Sequence, residues 1–200
     1  MVARSRREIL DWLAMFGAVP RLSRCESESN QEPSYDEAEA YRVYSTLIPQ
    51  DWIWVSAKAE SLVIAALTVS SEMCLEPERQ SSRFLAPAIA NYRDLAGKRW
   101  HLKREFRLSK PYELVDQQEI DGYFRKGGSG WDGFYAHYPK SGGYLFLSPV
   151  GFNSAKDIAI LQVNHLCGGL CGGGTFSVLQ KRDGEWKAIS WKGSSCGWAS

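Results

Sequence analysis

Four short strand-like runs end this chain, and they constrain its fold more than anything before them. They cover residues 143–150, 157–165, 175–181 and 185–191. Asp183-Gly184 sits between the last two, the strongest short-range signal for a tight hairpin. The runs follow one another too closely for helical crossovers, so they predict an antiparallel meander. Upstream, residues 35–47 carry Ala38, Tyr41, Tyr44 and Ile48 at helical spacing, with Asp36, Glu37 and Glu39 at the start and Pro49 at the end. A second helix is predicted over 83–95, where Phe84, Ala88 and Tyr92 repeat and Pro87 marks a first turn. Residues 60–70 read as a buried strand and 112–120 as another, while Gly127-Gly128-Ser129-Gly130 reads as a flexible link. Helices first and strands last argue an α+β fold, with N-terminal helices packed on a C-terminal antiparallel β-sheet. The expected organisation is a poorly ordered segment over 1–34 and a single α+β domain over 35–200.

The turn between the second and third runs is HLCGGLCGGG, residues 165–174. Three chemistries compete for it. A disulfide between Cys167 and Cys171 would close a very short loop, and the neighbouring glycines give the backbone the freedom that such closure needs. A metal site would draw on His165, Cys167 and Cys171, with Cys74 or Cys196 as a fourth ligand. Zinc sites, however, usually separate paired cysteines by two residues, and here there are three. A thiolate nucleophile with His165 as its base would lack an orienting acid at a recognisable spacing. The disulfide is the leading expectation, and no metal or cofactor is expected. The glycines match neither G-x-G-x-x-G nor a lysine-bearing phosphate loop.

A disulfide presupposes an oxidising compartment, and the first residues bear on that. Arg4, Arg6 and Arg7 give a basic start, and residues 12–20 are uncharged. Residues 5–10, SRREIL, resemble the start of a twin-arginine export signal. Leu22-Ser23-Arg24-Cys25 resembles a bacterial lipobox, which makes Cys25 the lipidation candidate and allows a lipid anchor to a membrane. The polar stretch that follows suits a tether. The competing reading is an amphipathic helix in a cytoplasmic protein, with Ile9, Leu13 and Phe16 on one face.

Aromatic residues make up 12% of the 200 residues, and they concentrate in GWDGFYAHYP, residues 130–139. Trp131, Tyr135 and Tyr138 can form a stacking platform for a sugar or peptide. Asp132 and His137 can add polar contacts or acid–base chemistry. Equally, these rings can simply seat a loop on the sheet. Lys98, Arg99, Lys103, Arg104, Arg107 and Lys110 form a basic stretch, but the formal net charge is only +1. A solvated face is therefore expected there, and no nucleic-acid partner. Glu119 and Asp132 are the acids available for a carboxylate pair.

Gly151-Phe152-Asn153, Ala159, Cys167-Gly-Gly-Leu-Cys171-Gly-Gly-Gly174 and Gly184-Glu-Trp186-Lys together resemble the C-terminal signature of an uncharacterised group of bacterial proteins often predicted to be exported. The resemblance spans about residues 131–190 and implies a bacterial source, with no activity attached. The expected function is an envelope-associated (periplasmic) binding or interaction module without intrinsic catalysis. Its partner would be a small ligand, a glycan or a protein, met by Trp131, Asp132, Tyr135, His137, Tyr138 and His165. The alternative is a small hydrolase with its site between residues 131–138 and 165–174. Convergence of His137 and His165 in a polar cleft would mark the hydrolase, and an aromatic surface without it would mark the binder.

Overall fold

Apolar side chains alternate along the long sixth strand, and each set enters a different core. In the computed structural model, which describes residues 32–50, 59–69, 75–77, 79–191, 193–195 and 197–199, four helices accompany a mixed sheet of eight strands and a separate pair. Chain order runs α1 (Ala38–Gln50), β1 (Ser61–Ala65), β2 (Leu75–Pro77), α2 (Arg79–Ala96), β3 (Tyr112–Val115), α3 (Gln117–Phe124) and α4 (Gly130–His137). It continues with β4 (Ser141–Leu147), β5 (Gly151–Phe152), β6 (Ile158–Gly168), β7 (Cys171–Arg182), β8 (Glu185–Ile189), β9 (Gly193–Ser195) and β10 (Trp198–Ala199). The α+β class holds. Arg6, Arg7, Cys25, residues 51–55, Cys74 and Cys196 lie outside the described residues.

The meander forms as its turn chemistry predicts: β4, β6, β7 and β8 pair antiparallel in chain order. Asp183 and Gly184 both take positive φ, 52° and 81°, as a two-residue hairpin turn requires. The sheet is nevertheless not a pure antiparallel meander. It runs β10-β7-β6-β4-β1-β3, and β1 lies parallel to both β3 and β4. The connections from β1 to β3 and onward to β4 contain helices, and such crossovers are what parallel neighbours need.

Ala159, Leu161 and Val163 of β6 join Leu145, Leu147, Leu179, Leu62 and Ile64 in a core shared with Tyr41, Tyr44 and Leu47 of α1. Ile158 and Ile160 join Phe176 and Val178 in a second core, together with Leu85, Ala88 and Tyr92 of α2. Val63, Ala65 and Val115 form a third with Ile120, Phe134 and Tyr138 of the α3–α4 pair.

Other expectations are corrected. Residues 131–137 are not a loop: α4 contains them and Tyr138 caps it, because Trp131, Phe134, Tyr135 and Tyr138 fall at i, i+3, i+4 and i+7. Residues 127–130 form the turn into it, with Gly127 and Gly130 at positive φ. The strand expected over 112–120 ends at Val115, because the Asp116 side chain accepts from the Gln118 N–H (2.8 Å) and caps α3. Pro87 lies well inside α2, and Pro49 lies in the last turn of α1 rather than beyond it.

Part of the basic stretch serves its own chain. Lys103 pairs with Asp36, Lys110 Nζ donates to the Ala59 carbonyl (2.6 Å), and Arg104 lies 5.5 Å over the Tyr112 ring.

Candidate functional site

Phe134 anchors α4 on the sheet and is fully buried. Its neighbours one turn away fan out at the edge of that core. Trp131 stacks on Tyr135 (centroids 5.7 Å, planes 30° apart) and on Tyr144 of β4 (6.0 Å, 26°). Phe124, from the last turn of α3, approaches the Trp131 ring to 4.8 Å and remains 39% exposed. Trp131, Tyr135 and Tyr144 are half-buried. The result is a continuous patch of rings held by packing from below. Near-parallel rings at these separations attract one another beyond their area burial, which favours this arrangement of the patch.

The crosslinked turn lies beside this patch. A disulfide joins Cys167 to Cys171, with Cα atoms 5.0 Å apart. Its register is irregular between Leu166 and Gly168, where β6 bulges before pairing Gly168 with Cys171. Tyr135 Oη donates to the Cys167 carbonyl (2.9 Å), tying α4 to the crosslinked end. Leu170, inside the closed loop, is 90% exposed. The two stretches singled out from sequence therefore meet.

The glycines after Cys171 have a packing reason. A side chain at Gly174 would collide with the Asn164 amide and the Trp198 indole of β10, and one at Gly172 would collide with the Leu166 side chain and crowd the same indole. Without them, the indole lies across β7 and donates from Nε1 to Asn164 Oδ1 of β6 (2.9 Å). Gly143, at φ 107°, faces the Leu166 carbonyl so closely that only glycine fits there.

The polar candidates separate. His165 is buried, and its Nε2 lies 2.8 Å from the Gly142 carbonyl, a geometry that fits the Nε2–H tautomer donating. Burial holds its pKa below the ordinary imidazole value, while the bond to Gly142 opposes that shift. His137 is on the surface, with Nε2 3.8 Å from Glu119 Oε1. Tyr138 is buried beneath it and donates to the same Glu119 oxygen at 2.5 Å. Burial first, then the bond and charge of Glu119, push the Tyr138 hydroxyl well above the usual phenol range. Tyr123 Oη is 3.4 Å from that oxygen. Asp132 is exposed in the first turn of α4, where a negative charge suits the helix dipole.

Trp131 and Tyr135 thus join the crosslinked turn. His137 and Tyr138 share Glu119, and His165 serves the core. With both sulfurs in a disulfide, Cys167 and Cys171 are neither thiolate nucleophiles nor zinc ligands. Among the described residues, no group of three or more His, Cys, Asp or Glu is arranged to hold a metal ion.

Phe124, Tyr144, Leu170 and Trp198 belong to the surface but were not legible as such in the sequence. Tyr144 follows from β4 alternation once its register is known. Leu170 carried a signal: a lone large apolar side chain in a glycine turn has nothing to pack on.

No family model, no curated protein and no solved structure matches the chain. The reading of this surface therefore rests on its own geometry.

Proposed function

We propose that this chain is a binding or interaction module of the bacterial envelope, without intrinsic catalysis, of the group that its C-terminal signature resembles. Its contact surface is the ring patch of Phe124, Trp131, Tyr135 and Tyr144, together with the Leu170 knob. The observation that carries the reading is a stiff, partly exposed aromatic surface fastened to a crosslinked turn through Tyr135 and Cys167. Preformed aromatic surface holding an exposed apolar anchor is what binding sites for glycans and peptides share. The burial of His165 also favours binding over the hydrolase alternative, because a base sealed in the core meets no substrate. The disulfide supports a compartment outside the cytoplasm, since thiols there escape the reducing pool.

The test uses the full chain, as wild type and as Trp131→Ser with Leu170→Ser, on glycan and peptide arrays, with ester and glycoside hydrolysis assayed in parallel. We expect array binding by the wild type that the double variant loses, and no turnover. Turnover by the wild type that survives in the double variant, with no array binding, would overturn the reading. Alkylation of Cys167 and Cys171 before reduction, in protein taken from its native envelope, would overturn the compartment.

A further inference from the structure

A groove of about 800 Å³ opens between α2 and residues 34–37, and it shares no residue with the ring patch. One wall is a single face of α2, where Pro87, Ala90, Asn91, Asp94 and Leu95 recur at helical spacing. The other wall is residues 34–37, and Trp100 and the turn after β5 complete the lining. Its apolar surface comes from rings. Trp100 and Tyr35 pack with centroids 5.9 Å apart, and Phe152 lies on the far side. Trp100 has spent its one donor, because Nε1 donates to the Leu95 carbonyl (3.0 Å). It therefore offers a ligand only its π-surface.

The charges in the groove are unequal. Asp36, Glu37 and Asp94 line it against the single cation Lys156. Asp36 is taken by Lys103, and Glu37 by Lys156 at 2.7 Å. Lys156 Nζ also lies 6.0 Å over the Phe152 ring. One end of the groove thus already displays a complete arrangement of carboxylate, ammonium and aromatic ring, with the ammonium supplied by the chain itself. Asp94 and Trp100 bring a second carboxylate and a second ring. Among the described residues, no cation pairs with Asp94 and no hydrogen bond reaches its carboxylate. Asn91, one turn earlier, also lines the groove and accepts at Oδ1 from the Phe152 N–H (2.9 Å).

We propose that this groove binds a small organic ammonium ligand, with its charged nitrogen at Asp94 and its apolar body against Trp100 and Leu95. A cation gains from the carboxylate and from the ring quadrupole together. An anion of the same shape meets the Asp94 carboxylate and is repelled. A neutral isostere retains only the apolar contact. The volume is within the range that small-molecule sites occupy.

The experiment is a titration of the ¹⁵N-labelled full chain, followed at the Trp100 indole N–H resonance and assigned by its loss in Trp100→Phe. The probes are phenethylammonium, its neutral isostere 2-phenylethanol and the anionic 3-phenylpropionate. We expect phenethylammonium to shift the Trp100 resonance saturably, 2-phenylethanol to bind about fivefold more weakly, and 3-phenylpropionate to leave the resonance in place. Asp94→Asn, an exposed helical change that leaves the fold intact, should bring the ammonium down to the level of the alcohol. Equal binding of ammonium and alcohol, an unchanged affinity in Asp94→Asn, or no movement of the Trp100 resonance would each overturn the proposal. The Trp131→Ser and Leu170→Ser changes leave this titration unaffected, so its outcome is independent of the fate of the ring patch.

Discussion

Two aromatic clusters flank the sheet of this protein, and they are built on opposite rules. On the α1 side, Tyr35, Tyr41, Tyr44 and Phe106 are buried, with centroids 5.3–6.5 Å apart. Every tyrosine hydroxyl there has backbone work. Tyr44 donates to the Ser148 carbonyl (2.7 Å), Tyr41 to the Tyr35 carbonyl (2.9 Å), and the Val150 N–H donates to Tyr35 Oη (2.9 Å). Burial pushes the Tyr41 hydroxyl up to about 12. On the α3–α4 side, similar rings stack beside one another but stop at the surface, and among the described residues the one backbone bond from a platform hydroxyl runs to the crosslinked turn. The first cluster is a set of props that position loops. The second is a surface kept stiff and partly uncovered. Composition alone does not separate them, because ring count is similar; what separates them is where the hydroxyls go.

Truncation should expose that contrast most strongly. Tyr44→Ala removes a buried ring and orphans the Ser148 carbonyl, so equilibrium urea unfolding should show a loss of about 3–5 kcal/mol. Trp131→Ala, from the half-exposed patch, should cost under about 2 kcal/mol. Equal losses would break the distinction between prop and platform.

A smaller effect is expected from the crosslink. Cys167→Ser with Cys171→Ser frees a very short loop and should cost about 2 kcal/mol by the chain-entropy estimate. Near-ultraviolet circular dichroism should report loosening of Tyr135, whose anchor is the Cys167 carbonyl. A spectrum identical to wild type would mean that the patch is stiff without its fastening.

The smallest effect is pH-dependent and lies between the clusters, at His165. Its folded pKa is depressed by burial below the ordinary imidazole value of about 6.5. The unfolded chain therefore takes up the proton first, and stability falls as pH drops below about 6.5 and levels off once the folded imidazole is protonated. Within that window the slope should reach up to about 1.4 kcal/mol per pH unit, and His165→Gln, which can still donate to Gly142, should lack it. Unfolding curves at closely spaced pH values would show the difference. A wild-type profile that matches the variant would place His165 in contact with solvent.

Much of the meander was legible in the sequence, because alternation and Asp183-Gly184 act locally. The helical nature of α4 was present in the spacing of Trp131, Phe134, Tyr135 and Tyr138, but the glycines around them pointed to a loop. The parallel placement of β1 was not legible, since no local residue states which strand a crossover returns to. In the ring patch, Trp131 and Tyr135 stood out in the sequence by type, while Phe124 and Tyr144 needed the tertiary packing to bring them beside Trp131. The burial of His165 was not legible for a physical reason: a histidine near a strand end reads as accessible until β4 covers it through Gly142.

The sequence by itself determined where the chain turns, which residues alternate into a core, and that Cys167 and Cys171 are near enough to close a loop. These are short-range matters of backbone freedom and side-chain period. Only the tertiary structure decided that α4 meets that loop, that Trp198 needs the glycines of β7, and that residues 34–37 line one groove with α2. Each joins residues whose separation in the chain carries no information about distance, and packing alone brings them together.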